Sequence, residues 1–193
     1  MNPVTGIILA GSKSTRMKTD KAFLKLGPKT MIGELVSRLE KKFSKLVIIA
    51  NDKEKYARFD MQVMEDIIPD KGPLGGIYTG LVKSDSFYNF IFSCDAPFVN
   101  PDLIDYMISK AKDFDIVVPK WRGRFEPLHA IYSKNCILAI ERQLEKNELK
   151  VTSFYPEVIA KMVEQEELER FDLGQTPFMN INTPEDYATI RQF

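Results

Sequence analysis

The chain has 193 residues, of which 44% are hydrophobic and 28% are charged, enough apolar sequence for one globular domain with a substantial core. Its 27 basic residues are balanced by 27 acidic ones, so it lacks the basic surplus of typical nucleic-acid-binding proteins. Cys94 and Cys136 form no CxxC pair, and no apolar run has the length of a membrane span or the flanks of a signal peptide. We therefore expect a soluble, cytoplasmic protein that binds neither nucleic acid nor membrane.

Short apolar runs bounded by turn residues predict six strands, at residues 4–10, 46–50, 61–64, 87–93, 115–119 and 127–132. Apolar residues at helical spacing and capping signals predict helices after Thr30, near Gly75, from Pro101, over residues 133–147 and from Thr183. Residues 22–26 and 177–181 read as extended, and residues 151–169 allow either helix or strand. Because strands and helices alternate over the first ~120 residues, we expect an α/β fold: a mostly parallel sheet with helices on both faces and an antiparallel strand in the last third.

The segment that follows the first strand, residues 11–21, is small, flexible and basic. Gly11 allows a tight turn and a close approach of backbone N–H groups, while hydroxyl and cationic side chains add donors and positive charge. This composition at the end of a buried strand favours a loop that holds a nucleoside triphosphate. A Walker A loop is excluded because Ser12 stands where its lysine should be, and G-x-G-x-x-G is absent. The alternative is an ordinary strand-to-helix turn with solvated cations.

Gly11, Asn51, Asp66 and Asp95 each follow the predicted end of a separate strand. In parallel α/β sheets the carboxyl ends of the strands meet at one edge, where ligands bind. These residues are therefore predicted to share one site. Asp95, a charge at the end of a hydrophobic strand, is the candidate Mg²⁺ ligand, because Mg²⁺ uses one or two carboxylates together with substrate phosphates and water. The alternatives are a turn or N-cap residue for Asp95 and a solvated loop acid for Asp66. The single histidine, His129, leaves no zinc site and reads as a packed strand residue.

Residues 9–21, LAGSKSTRMKTDK, resemble the L-A-G-G-x-S-x-R-M-G-x-D-K signature of nucleotidyltransferases, most closely that of the molybdenum cofactor guanylyltransferase family. Further segments resemble this family in the same order along the chain: VMED at 63–66, GPLGG at 72–76, SCDAPF at 93–98, EPLHAIY at 126–132 and FMNINTPED at 178–186. The resemblance covers nearly the whole chain. Two family glycines of the loop are replaced, by Ser12 and Lys18.

The resemblance implies a Rossmann-like three-layer nucleotidyltransferase fold and a reaction that transfers GMP from GTP to Mo-molybdopterin, with Mg²⁺ as cofactor and pyrophosphate as product. It assigns the nucleotide to residues that include the loop, Asp66 and the glycine-rich segment. The implied nucleotide-binding residues are Leu9, Ala10, Gly11, Ser12, Lys21, Asp66, Gly75 and Asp95. The implied catalytic residues are Arg16 on the outer phosphates, Lys21 at the α-phosphate and Asp95 on the metal. The nucleotide-binding Asn of the family aligns with Ile49 rather than with Asn51.

On the acceptor side, the resemblance implies that Asn180 and Asn182 bind the pterin. They alternate along a segment predicted as extended, so both amides face one side; the alternative for Asn182 is a helix cap. We expect one domain over residues 1–193, with a GTP and Mg²⁺ half over about 1–100 and a pterin half over about 101–193. The implied partners also include other molybdenum-cofactor proteins and acceptor molybdoenzymes, and we expect a monomer. A cytidylyltransferase, a sugar- or alcohol-phosphate nucleotidyltransferase and an inactive nucleotide-binding regulator remain alternatives.

Overall fold

The computed structural model describes residues 3–10 and 21–171 together with Phe178, Ile181 and Asp186. The described residues form ten strands: β1 (Thr5–Leu9), β2 (Lys25–Leu26), β3 (Lys29–Thr30), β4 (Leu46–Ile49), β5 (Gln62–Met64), β6 (Tyr88–Ser93), β7 (Ile116–Trp121), β8 (Arg124–Phe125), β9 (His129–Ser133) and β10 (Ala160–Val163). They also form six α-helices: α1 (Met31–Leu39), α2 (Lys53–Tyr56), α3 (Gly72–Lys83), α4 (Pro101–Lys110), α5 (Cys136–Glu145) and α6 (Gln165–Leu168). Three 3₁₀ helices in the same residues span Lys21–Phe23, Ala57–Phe59 and Val151–Glu157.

The main sheet has the strand order β10-β7-β9-β6-β1-β4-β5, with β8 paired to β7. Strand β1 is parallel to both β4 and β6, and β4 is parallel to β5, so the carboxyl ends of these four strands lie at one edge. Strand β9 runs antiparallel to β6 and β7, and β10 is parallel to β7. The mostly parallel sheet with an antiparallel strand in the last third is confirmed.

Helices cover both faces of the sheet, as the sequence predicts. On one face α1 and α4 bury their apolar stripes, with Leu35, Leu39 and Met107 fully enclosed around Ile8 of β1. On the other face α3, α5 and the 3₁₀ helix at Val151–Glu157 pack around the neighbouring Ile7. Successive residues of one strand thus serve opposite cores, which explains why the central strands are continuous apolar runs.

Two predicted helix starts, after Thr30 and at Pro101, are confirmed, and the structure gives each a polar cap. The Thr30 side chain accepts a hydrogen bond from the Gly33 N–H at 3.2 Å, which caps α1. Asn100 accepts from the N–H groups of Asp102 and Leu103, at 2.9 Å each, and Pro101 occupies the first turn of α4. The backbone N–H groups that a helix start leaves unpaired are thus satisfied locally.

Several boundaries differ from the sequence prediction. Helix α3 begins at Gly72 rather than near Gly75, because Pro73 fits the first helical turn, where no N–H donor is needed. Residues 22–26 are not extended throughout, since a 3₁₀ turn at Lys21–Phe23 precedes the short β2–β3 hairpin. Helix α5 starts only at Cys136, because Ser133 is still paired to Tyr88 in the sheet. The ambiguous stretch after residue 150 contains 3₁₀ helix, strand and helix in turn.

Helix α3 packs unusually close to the central strand. A Cβ at Gly80 would lie 2.8 Å from Ile7 Cδ1, and one at Gly76 would lie 3.1 Å from Leu9 Cδ2. The two glycines therefore let α3 lie close against β1, and Gly76 brings the first half of the helix to Leu9 at the carboxyl end of that strand. No helix in the described parts of the chain is long and apolar enough to cross a bilayer.

Candidate functional site

The carboxyl edge of the sheet is joined by backbone hydrogen bonds just beyond the strand ends. The Ala10 N–H donates to Ile49 O at 2.9 Å, and the Cys94 N–H donates to Leu9 O at 3.1 Å. Leu9 and Ala10, predicted to lie along the nucleotide, are therefore fixed between the exits of β4 and β6. The prediction that Asn51, Asp66 and Asp95 follow strand ends at the same edge is confirmed. Gly11, Ser12 and Arg16 lie outside the described residues.

Asp95 follows β6 in a turn in which the Ala96 N–H donates to Ser93 O at 3.2 Å. The Ser93 hydroxyl donates to Asp95 Oδ1 at 2.5 Å, so one carboxylate oxygen has a fixed position. The following helix α4 is capped by Asn100, so Asp95 is not needed as its cap. Asp95 is partly exposed, which leaves the carboxylate within reach of a ligand at the sheet edge.

Lys21 is the first residue described after the basic loop, and it opens the 3₁₀ turn that ends at Phe23. Its neighbour Ala22 is fully buried in the core, and the Leu24 N–H donates to Lys21 O at 3.1 Å. The backbone that carries Lys21 is therefore anchored to the folded domain on its C-terminal side, while its side chain remains partly exposed.

Asn51 and Asp66 form a doubly hydrogen-bonded pair across the exits of β4 and β5. Asn51 Nδ2 donates to Asp66 Oδ2 at 3.1 Å, and the Asp66 N–H donates to Asn51 Oδ1 at 3.1 Å. Burial raises the pKa of the Asp66 carboxyl, opposed by the hydrogen bond from Asn51, the charge of Lys83 and the hydroxyl of Thr79. The resemblance assigns a nucleotide contact to Asp66 but not to Asn51. Asn51 thus holds in place a residue that is predicted to contact the nucleotide.

We expect Asn51→Ala to weaken GTP binding about tenfold, because Asp66 loses a hydrogen bond to its charged form. The loss of this bond should also raise the pKa of Asp66 further, so the affinity deficit should grow as the pH falls. Binding titrations from about pH 5 to about pH 8 measure both effects. Asn135→Ala is the matched control, because Asn135 Nδ2 donates to Asp115 Oδ1 at 2.7 Å at the opposite edge of the sheet. Equal effects of the two substitutions would contradict the role of Asn51.

Gly75 lies inside α3, not in a loop before it. A Cβ at this position would meet Lys71 Cβ at 2.7 Å and Ile68 O at 3.4 Å, so the segment just before the helix needs a glycine here for packing. Packing alone therefore explains why position 75 is a glycine, and no bound ligand is needed to explain it. The contact of Gly75 with the nucleotide stays a prediction.

On the acceptor side, Ile181 is fully buried and donates its N–H to Asp95 O at 2.9 Å. Its neighbours Asn180 and Asn182, the predicted pterin ligands, lie outside the described residues. Phe178 contacts the rings of Trp121 and His129, at centroid distances of 6.2 and 5.4 Å. Phe178 and Ile181 thus lie at the same edge of the sheet as Asp95.

His129 is packed against the core, as its place in an apolar strand predicts. Its ring meets Phe90 and Phe92 edge-on at 5.2 and 5.5 Å, and burial lowers its pKa to about 4. The imidazole is therefore neutral at physiological pH. The Cys136 thiol is also buried, and burial raises its pKa to about 12, so it is not a poised nucleophile.

Sequence reasoning missed three residues of this region. Ser93 positions Asp95, and the i, i+2 spacing at the strand end could have indicated that both face the same side. Burial raises the pKa of Glu126, in the loop before β9, to about 7, and nothing in its local sequence indicates that burial. Ile181 is an apolar residue between two asparagines, and the sequence gives no signal for its contact with Asp95.

Among the described residues, no group of three or more acidic, His or Cys side chains is arranged to hold a metal ion on its own.

A mostly parallel sheet with helices on both faces carries Asn51, Asp66 and Asp95 just beyond strand ends at its carboxyl edge, an arrangement typical of ligand-binding α/β proteins. Residues 6–160 match the family of MobA-like NTP transferase domains. The chain therefore belongs to the MobA-like nucleotidyltransferases.

Two relatives that match over nearly the full length of the chain have the same name. A probable molybdenum cofactor guanylyltransferase from Pelotomaculum thermopropionicum is 36% identical, over 99% of this chain and 93% of the relative. One from Natranaerobius thermophilus is 38% identical, over 98% and 96%. The crystal structure of molybdopterin-guanine dinucleotide biosynthesis protein A from Archaeoglobus fulgidus has a TM-score of 0.86 at 22% identity, covering 98% of this chain and 97% of that one. This last likeness confirms the nucleotidyltransferase fold.

Proposed function

We propose that this protein is a molybdenum cofactor guanylyltransferase, which transfers GMP from GTP to Mo-molybdopterin and forms the guanine dinucleotide cofactor. The observation that carries the proposal is the similarity to relatives of that name over 98–99% of the chain, at 36–38% identity. Two of the motifs that resemble the family, VMED and SCDAPF, lie at the carboxyl ends of β5 and β6. Asp66 and Asp95 both follow strand ends at the carboxyl edge, and Lys21 follows the basic loop.

The residues at this edge fit a single Mg²⁺ ion that is bound jointly with a triphosphate. Mg²⁺ prefers hard oxygen ligands and commonly takes one or two carboxylates, with phosphate oxygens and water completing the octahedron. Asp95 supplies one such carboxylate, and the Ser93 hydroxyl fixes one of its oxygens. When bound, Mg²⁺ would neutralise charge on the phosphate oxygens of GTP.

In the proposed reaction, an oxygen of the molybdopterin phosphate attacks the α-phosphorus of GTP in line. The bond from the α-phosphorus to the bridging oxygen breaks, and pyrophosphate leaves with the electron pair. The attacking phosphate is already ionised, so the protein needs no general base. Its contribution is position and charge: Lys21 stabilises the charge on the α-phosphoryl group, and Arg16 stabilises the departing pyrophosphate.

The acceptor would bind beside Asp95, where the C-terminal segment meets the sheet edge. Ile181 is hydrogen-bonded to Asp95 O, and Phe178 lies against Trp121. Asn180 and Asn182 flank Ile181 in the sequence, and their amides offer the donors and acceptors that a pterin or its phosphate requires. The proposed partners are therefore GTP and Mo-molybdopterin as substrates, with Mg²⁺ as the cofactor.

The direct test is thermal unfolding with Mg²⁺ and each nucleoside triphosphate in turn. GTP at about 100 times its Kd should stabilise the fold by about 2.7 kcal/mol, which raises Tm by roughly 5–10 °C for a chain of this length. CTP, UTP and ATP at the same concentration are the controls and should raise Tm much less. A shift with CTP alone would replace the proposal by a cytidylyltransferase, and no shift with any nucleotide would contradict nucleotide transfer altogether.

A further inference from the structure

Ile181 belongs to a small apolar cluster that is separate from the two large cores on the faces of the sheet. Ile181 and Met31, the first residue of α1, are both fully buried in it. Three partly buried side chains pack against this pair: Leu24, Leu26 and Phe98. Because the cluster is separate from the main cores, we expect a loss of packing in it to displace the nearby segments more than it destabilises the whole fold.

Two members of this cluster come from the two segments that carry the proposed catalytic groups. Leu24 lies three residues after Lys21, and Phe98 lies three residues after Asp95. Three residues of chain span at most about 10 Å, so each apolar contact is close to the charged residue that precedes it. Ile181 therefore shares one apolar cluster with a side chain from the segment that follows the basic loop and with one from the loop that follows β6.

The backbone of Ile181 adds a direct link to Asp95. The Ile181 N–H donates to Asp95 O at 2.9 Å, while the Ser93 hydroxyl holds the Asp95 carboxylate from the strand side. Asp95 is thus held at its carbonyl by the C-terminal segment and at its side chain by β6. Lys21 is held through the 3₁₀ turn that leads into Leu24.

We propose that Ile181 is a positioning residue, which sets the distance between Lys21 and Asp95 by packing in the apolar cluster that the two segments carrying them share. The inference rests on the proposed function, since that proposal places Lys21 and Asp95 at the reacting phosphates. It adds that the C-terminal segment organises the catalytic groups as well as contacting the acceptor. Phosphoryl transfer depends on position, and a displacement of about 1 Å can cost about 100-fold in rate.

The test compares Ile181→Ala with Ile140→Ala, a matched control. Ile140 is equally buried, but it lies in α5 within the core on the opposite face of the sheet. We expect Ile181→Ala to lower kcat roughly 10- to 100-fold with a much smaller change in the Kd of GTP. Ile140→Ala should lower Tm but leave kcat within about twofold of the wild type at a temperature where both are folded. Ile181→Val keeps the branched side chain and should retain most of kcat.

A second measurement is independent of activity. Hydrogen exchange should become faster in the segments 21–26 and 93–98 of Ile181→Ala, and it should stay at the wild-type rate there in Ile140→Ala. Should either alanine variant fail to fold, hydrogen exchange in Ile181→Val and Ile140→Val provides the same comparison in milder form. Unchanged exchange in both segments, or equal kcat losses in the two variants, would overturn the positioning role. If the wild-type protein transfers no GMP while Ile181→Ala shows the expected faster exchange, the proposed function is refuted but the packing role of Ile181 is not.

Discussion

Asp95→Asn is expected to lower the rate of GMP transfer by at least about 100-fold. The substitution keeps the size and shape of the side chain, and the amide oxygen can still accept the hydrogen bond that Ser93 donates to Asp95 Oδ1 at 2.5 Å. What it removes is the negative charge that a hard divalent cation requires. Steady-state transfer assays over a range of Mg²⁺ concentrations measure the effect, and the variant should need more Mg²⁺ for half-maximal activity.

Asp60→Asn is the control for the loss of one carboxylate. Asp60 is exposed and has a φ of 45°, a left-handed conformation that asparagine also tolerates. It lies before β5, at the opposite end of that strand from Asp66, so its replacement should change neither the rate nor the Mg²⁺ dependence. If Asp95→Asn kept the wild-type rate and Mg²⁺ dependence, the assignment of the metal to Asp95 would be wrong.

The layout of the site could be predicted because it follows from strand direction. Four apolar runs followed by polar residues suffice to place Asn51, Asp66 and Asp95 at one edge, once the runs are recognised as parallel strands. The same argument gives the helices on both faces, since each central strand is apolar at successive positions. These features depend on local pattern and chain order alone.

The contacts within the site could not be predicted in the same way. The Asn51–Asp66 pair joins residues that follow two strands whose relative register is set by packing, and Ile181 meets Asp95 from a distant part of the chain. The sequence predicts the start of α3 too late because Gly75 and Gly76 resemble a loop, whereas in the structure they allow close packing within a helix. Burial, which sets the pKa of Glu126 and His129, is likewise a property of the assembled fold.

Lys21→Ala is expected to lower kcat by about 100-fold while changing the Kd of GTP by less than about fivefold. The asymmetry follows from where the charge develops. In the ground state, a partly exposed ammonium group contributes only about 1 kcal/mol to binding, because water also solvates the phosphate. As the acceptor oxygen approaches, negative charge accumulates on the α-phosphoryl group, and a positioned ammonium group stabilises that charge more than it stabilises the ground state.

Lys25→Ala is the matched control, since Lys25 is an exposed lysine in the short strand β2, four residues further along the same segment. It should leave both kcat and the Kd of GTP near the wild-type values. Lys21→Arg keeps the charge but replaces a compact ammonium by a planar fork, so it should recover only part of kcat. Single-turnover rates and GTP titrations on the three variants separate the chemical step from binding. A loss of GTP affinity with kcat unchanged would mean that Lys21 binds the nucleotide equally well in the ground state and the transition state, and it would contradict a role at the α-phosphoryl group.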